Sequence, residues 1–178
     1  LTSTDMAALT SAQAVALTTT QLSNLTTDLL AALSTADLKA LSAAQIDSLT
    51  SDQLNGLATD HIAALTTAQV AALTTTQLSN LSTTNLDAFG SAQIAALTPT
   101  QVANLTTAQI NALGTAQVAA FTPAQIAALT SAQVNALTTS DMGALTSAQA
   151  VALTTNQLSN LTTDLLAALS TGDLKALT

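Results

Sequence analysis

The sequence lacks several residue types on which most functional sites and many folds depend. It contains no Cys, Trp, Tyr, Arg or Glu, only two Phe, two Pro and five Gly, and two Lys against ten Asp. Without Cys there can be no disulfide bond and no thiolate metal ligand. The formal charge of −8 argues against nucleic acid as a partner, because phosphate groups would repel such a chain.

Long apolar runs are missing as well. The longest covers the five residues Leu29–Leu33, whereas a transmembrane helix needs about 20 apolar residues. We therefore expect no membrane insertion. The chain starts at Leu1 without the basic and apolar segments of a secretory signal. We expect that a signal was removed or lies elsewhere, or that the chain is a piece of something longer.

What the chain does contain is one eight-residue pattern that runs from Leu1 without a gap. Twenty-two octads follow one another, and Leu177 and Thr178 begin the next. Position 1 is Leu except at Phe89 and Phe121, position 2 is Thr or Ser in 19 octads, and position 5 is Gln in 14 and Asp in four. Position 6 is always apolar. This regularity predicts a repeat architecture.

A second, longer period lies above the octad. Residues 1–42 match residues 137–178 at 36 of 42 positions, an offset of 136 residues or 17 octads. We therefore expect a single repeat array over 1–178, in which 1–136 is one larger unit and 137–178 begins a second copy. The array should belong to a longer tandem series.

The octad cannot be part of one continuous helix or strand. Eight residues at about 100° each advance an α-helix by two turns plus about 80°, so the Leu positions would spiral around it. In a strand, positions 1 and 6 would point to opposite faces. The pattern therefore predicts that a new helix begins in every octad.

The residues at positions 1 to 6 match the start of a helix. Position 2 is a good N-cap, Gln at position 5 completes a capping box, and positions 1 and 6 form a hydrophobic staple. Position 3 is then the first helical residue, where proline is favoured. Two octads show the full pattern of cap, proline and glutamine at Thr98, Pro99, Gln101, Thr122, Pro123 and Gln125.

These features predict an all-α fold, an α-solenoid of very short helices with one helix per octad. Each helix should have about six or seven residues and be unstable in isolation. It would persist by burying positions 1 and 6 against neighbouring octads, with Thr and Ser outside. The sequence leaves open whether two, three or four octads make one turn, and also the handedness.

No catalytic, cofactor-binding or metal-binding constellation is visible. His61 is the one histidine, and a ligand or base role would want Asp60 or Asp52 beside it. We interpret His61 as a polar substitute for Gln at position 5. The aspartates are scattered singly, without calcium-loop spacing. We therefore predict that the chain is not an enzyme.

Four asparagines at position 8 create N-x-S/T acceptors for N-glycosylation, because the repeat supplies Leu and a hydroxyl residue next. They are Asn24, Asn80, Asn104 and Asn160. Asn is also a natural residue at a helix C-terminus, so the motif has a structural interpretation too. Sugar on exposed Thr and Ser is a further possibility from composition.

The octad L-T-x-x-Q-h-x-A resembles repeats of very large bacterial surface proteins described as adhesin-like or haemagglutinin-like. The resemblance covers the whole chain and implies secretion, an extended stalk or fibre, and no enzymatic activity.

Three functional hypotheses follow. The first is an extracellular or cell-surface structural protein that self-associates as tandem units or filament neighbours. The second is an adhesin-type module that binds a glycan, peptide or solid surface, although variable positions 3, 4 and 7 stay rich in Ala, Thr and Ser. The third is an ice- or mineral-facing Thr array, which thermal hysteresis would test.

Overall fold

The computed structural model describes residues 1–177, and this range contains twenty-two short α-helices and no strand. The predicted all-α fold with one helix per octad is confirmed. The helices are α1 Ser3–Ala7, α2 Ser11–Val15, α3 Thr19–Ser23, α4 Thr27–Ala31, α5 Thr35–Ala40, α6 Ala43–Asp47, α7 Ser51–Asn55, α8 Thr59–Ala64, α9 Thr67–Ala72, α10 Thr75–Ser79, α11 Thr83–Asp87, α12 Ser91–Ala96, α13 Pro99–Ala103, α14 Thr107–Ala112, α15 Thr115–Val118, α16 Pro123–Ala128, α17 Ser131–Val134, α18 Thr139–Gly143, α19 Ser147–Val151, α20 Thr155–Ser159, α21 Thr163–Ala168 and α22 Thr171–Ala176.

Helices such as α9 are bounded by extended residues at positions 1 and 2 of the octads. In α9, the N-cap Thr66 has φ −72° and ψ 158°, and Leu73 after the helix has φ −58° and ψ 137°. The helices have four to six residues, so the expected six or seven was slightly too long, because extended residues take up the corner. Within residues 1–177, no helix is long and apolar enough to cross a membrane.

The chain divides into two compact units, Leu1–Ala96 and a second unit that starts at Leu97. In the first unit, α5 packs on α2, α8 on α5, α9 on α6 and α12 on α9. In the second unit, α16 packs on α13, α19 on α16 and α21 on α18. Within each unit, every helix after the first three packs on the helix three octads earlier, so each unit is an α-solenoid with three octads per turn.

Positions 1 and 6 form the core of each solenoid. Ile46, Val70 and Ile94 at position 6 are 0% exposed, while Leu49 and Leu73 at position 1 are 3% and 4% exposed. Burial of one such side chain stabilises the fold by about 1.5–3 kcal/mol. Since helices this short are unstable in water, this packing between turns holds them.

Candidate functional site: the corners between helices

The corners between helices carry the polar side chains that the structure buries. At the corner that opens α9, Thr66 N–H donates to Gln69 Oε1 at 2.7 Å, and Gln69 N–H donates to Thr66 Oγ1 at 3.2 Å. This is the reciprocal bonding of a capping box.

The two octads that contain proline have the same cap. Thr98 and Thr122 are the N-caps of α13 and α16, and Pro99 and Pro123 are the first residues of these helices. The N–H groups of Thr98 and Thr122 each donate to the glutamine Oε1 of their own octad, at 2.6 Å. Those glutamines are Gln101 and Gln125. Because proline has no N–H, it costs the helix no hydrogen bond at its first position.

The glutamine amide nitrogen links one turn to the turn before it. Gln69 Nε2 donates to the carbonyl oxygens of Leu38 at 2.8 Å and Leu41 at 2.7 Å. The last carbonyls of a helix have no partner within the helix. One buried side chain therefore satisfies backbone groups of two turns, and we call this arrangement the Gln link.

From the sequence, glutamine at position 5 was predicted to cap its own helix, and its bonds to the preceding turn were not predicted. A capping box accepts Glu as readily as Gln, yet the chain has 14 Gln at position 5 and no Glu anywhere. A carboxylate could cap the helix but could not donate to the preceding turn. The absence of Glu was therefore a signal for the Gln link.

Two sets of corners in the first unit differ in this link. The corners that open α6, α9 and α12 carry Gln45, Gln69 and Gln93, and we call them the Gln stack. Their Nε2 atoms donate to Leu17 O, Leu41 O and Leu65 O, each at 2.7 Å.

The corners that open α5, α8 and α11 lack glutamine, and we call them the seam. They carry Asp37, His61 and Asn85 at position 5. These residues are 24 residues apart, the length of one turn. This spacing was visible in the sequence, but its meaning depends on three octads making one turn.

Asp37 is 3% exposed and accepts hydrogen bonds from two serine hydroxyls. Ser34 Oγ donates to its Oδ2 at 2.6 Å, and Ser11 Oγ of the preceding turn donates to Oδ1 at 2.7 Å. The Ser34 hydroxyl is the largest cause that lowers the pKa of this carboxyl, and burial opposes it. At this corner the hydrogen bond between turns is donated by the preceding turn, because a carboxylate has no N–H or O–H group to donate.

His61 stands in a corner that has lost both halves of the cap. Ala58 is the N-cap of α8 and has no side-chain hydrogen bond. The ring nitrogen Nδ1 of His61 is buried and has no hydrogen-bond partner. Within residues 1–177, no three His, Asp or other metal-ligating side chains come together, so the structure gives His61 no partners for a metal site.

The Asn85 side chain is directed to the preceding turn, and an asparagine of another turn supplies the acceptor for the N-cap of its octad. Asn85 Nδ2 still donates to Leu54 O, at 3.2 Å. The N–H of Ser82 donates instead to Asn55 Oδ1 at 2.7 Å, and Asn55 Nδ2 donates to Asn80 O at 2.8 Å.

In the second unit, too, an asparagine of another turn replaces a missing cap. Leu165 occupies position 5 there, and Thr162 N–H donates to Asn135 Oδ1 at 3.2 Å. Asn135 Nδ2 donates to Asn160 O at 2.8 Å. Asparagine at position 7 thus replaces the cap where the local residue cannot supply it.

The four glycosylation acceptors all lie at helix ends. Asn24, Asn80, Asn104 and Asn160 are the C-caps of α3, α10, α13 and α20, and their side chains are exposed. The amide groups of Asn24, Asn104 and Asn160 donate to carbonyls four residues earlier at 2.7–2.8 Å. Their modification stays a prediction.

An open groove of about 640 Å³ lies in the first unit between α5, α8 and the start of α12. Its walls include Lys39, Ala36, Ala63, Gly90 and Ala92. Gly90 contributes no side chain to this lining, and Lys39 is its one charged residue.

Comparison with known proteins identifies the repeat. The ALTTAQ repeat family matches residues 30–67, 54–83, 70–107, 99–131, 128–155 and 134–171. No curated protein matches the chain significantly. The overlapping family matches run from 30 to 171, which is most of the chain. This protein therefore belongs to the ALTTAQ repeat family.

Proposed function

We propose that this chain is part of an extracellular or cell-surface structural protein whose tandem solenoid turns build a filament, sheath or stalk. The Gln link carries the proposal. Within each unit, glutamines such as Gln69 and Gln133 join their own turn to the preceding one through backbone groups that every octad has, so added octads can extend the coil by the same contacts. Repeat solenoids gain stability in this way from nearest-neighbour interfaces.

The surface chemistry also supports a structural role. Position 2 is Thr or Ser in 19 of 22 octads, and only 7% of all residues are charged. Such a surface offers hydroxyl groups and few ionic contacts. We accordingly assign the chain no enzymatic activity and no cofactor.

Negative-stain electron microscopy of the purified chain tests the proposal. We expect filaments or bundled fibres made of many copies. The matched control is the triple variant Q45A/Q69A/Q93A, which removes the Gln stack and should shorten or abolish them. Compact, monodisperse particles of the unmodified chain would contradict a filament. Antibody labelling of intact and lysed cells tests the location, and labelling only after lysis would contradict a surface role.

A second candidate is an adhesin-type module that binds a glycan, a peptide or a solid surface. The favouring observation is that α5, α8 and α11 carry five of the nine Asp, Lys and His residues of the first unit, and that one of the five, Lys39, lines the groove. They are Asp37, Lys39, Asp60, His61 and Asp87. The sequence alone did not reveal this concentration, since these residues are spread over 51 positions.

Binding to glycan and peptide arrays distinguishes this candidate from a purely structural role. The variant K39A should weaken binding of an acidic ligand. Its matched control is K175A, because Lys175 is the counterpart of Lys39 at the 136-residue offset. Equal loss in both variants would contradict a site at the groove.

A further inference from the structure

Each seam corner is followed along the chain by a Gln-stack corner, so the two kinds of corner can be compared directly. Helix α8 begins at a seam corner and α9 begins at the next corner, which belongs to the Gln stack. The backbone bonds at the two corners are alike, with Ile62 N–H to Ala58 O at 3.2 Å and Val70 N–H to Thr66 O at 3.0 Å.

The bonds between turns are not alike. At the Gln-stack corners, Gln45, Gln69 and Gln93 each donate two or three hydrogen bonds to carbonyls of the preceding turn. The seam corners differ from one another. At the α5 corner Asp37 receives one bond from Ser11, and at the α11 corner Asn85 makes two longer bonds while Asn55 adds one with Ser82 and one with Asn80. His61 Nδ1 is buried without a partner.

We infer that the first unit opens locally at the α8 corner of the seam, where adjacent turns separate while the Gln stack holds them together. Local opening follows the part of a structure with the fewest bonds between segments. Opening on one side bends the coil and leaves its other side intact. The α8 corner is therefore a built-in hinge, and this inference does not depend on what the chain builds or binds.

Residue-resolved amide hydrogen exchange by NMR tests the inference. The reporters are Leu57 and Ile62 at the seam corner, and Leu65 and Val70 at the adjacent Gln-stack corner. Because the two corners are neighbours in sequence, fraying of the chain affects both alike. We expect the seam pair to exchange about tenfold faster, the ratio that one net hydrogen bond produces.

Two reciprocal double variants provide the control. A58T/H61Q restores the cap and the Gln link at the seam corner, and should slow Leu57 and Ile62 about tenfold while leaving Leu65 and Val70 unchanged. T66A/Q69H copies the natural seam residues into the Gln-stack corner and should accelerate Leu65 and Val70. Both variants use residue pairs that already occur in this repeat, so both should fold.

Two results would overturn the inference. One is equal exchange of the two amide pairs in the unmodified chain. The other is equal slowing of both pairs by A58T/H61Q, which would mean that the substitutions change global stability alone.

Discussion

The Gln stack and the seam have the same backbone and different side chains. Thr66, the capped N-cap of α9, has φ −72° and ψ 158°, and Ala58, the uncapped N-cap of α8, has φ −67° and ψ 156°. The apolar residues of these octads are equally buried, with Ile62 at 1% and Val70 at 0% exposure. The capping side chain is thus not needed for the corner to form.

This comparison separates two layers of the structure. Apolar packing at positions 1 and 6 is alike in the two sets of corners and fixes the path of the chain. The polar link at position 5 varies from corner to corner and changes the strength of the interaction between successive turns. Natural substitutions can therefore accumulate at position 5 without changing the fold.

Removal of a Gln link should have the largest effect on stability. Q69A leaves Thr66 N–H, Leu38 O and Leu41 O without this partner in a buried corner, so we expect a loss of about 3 kcal/mol. H61A removes a side chain that makes no such link and should cost less than about 1 kcal/mol. Urea unfolding measures both, and equal losses would show that the seam and the Gln stack do not differ.

Removal of the asparagine that replaces a missing cap should have the second-largest effect on stability. N55A deprives Asn80 O and Ser82 N–H of their partner, and we expect a loss of about 2 kcal/mol. N111A removes only the bond from Asn111 to Ala136 O.

Thr138 N–H at the corresponding corner keeps Asp141 Oδ2 at 2.9 Å, so N111A should cost about half as much. Thermal unfolding of the two variants tests this order. If N111A is as damaging as N55A, asparagine does not act by replacing a missing cap.

Adding a cap hydroxyl should sharpen the comparison further. A58T adds a side-chain acceptor for His61 N–H, which already donates to the backbone oxygen of Ala58 at 3.0 Å, and should stabilise the chain by about 1 kcal/mol. G90T should stabilise the chain by only about 0.3 kcal/mol, because glycine is already a tolerated N-cap. Calorimetry on both variants checks the ratio, and an equal gain would indicate that backbone entropy dominates.

The smallest expected effect is the loss of stability at low pH. Hydrogen bonds from Ser34 and Ser170 lower the pKa of Asp37 and Asp173 below the usual value. A carboxyl with a lowered folded-state pKa stabilises the fold above its unfolded pKa of about 3.9 and loses this contribution as pH falls through the folded value. We expect the urea midpoint to fall between pH 5 and pH 2.

The double variant D37N/D173N should lose less over the same range, because its amides do not titrate. Asp5, whose pKa is also lowered by Thr2, keeps part of the dependence in the variant. An identical fall in both proteins would contradict a contribution from the two buried carboxyls.

Much of the fold was predictable because the octad encodes its own local structure. Thr98, Pro99 and Gln101 indicate where a helix begins through capping and through the fixed φ of proline. The Gln link was not predicted, because the acceptors of Gln69 lie 28 and 31 residues away. No local rule connects such positions until the number of octads per turn is known.

The sequence by itself determined that a short helix restarts every eight residues and which residues are apolar inside. Those properties depend on contacts within one octad. Only the tertiary structure decided that three octads make a turn, which brings Asp37, His61 and Asn85 into one line and gives Asn55 its role at Ser82. These are relations between turns, and they depend on how the core side chains pack rather than on any single octad.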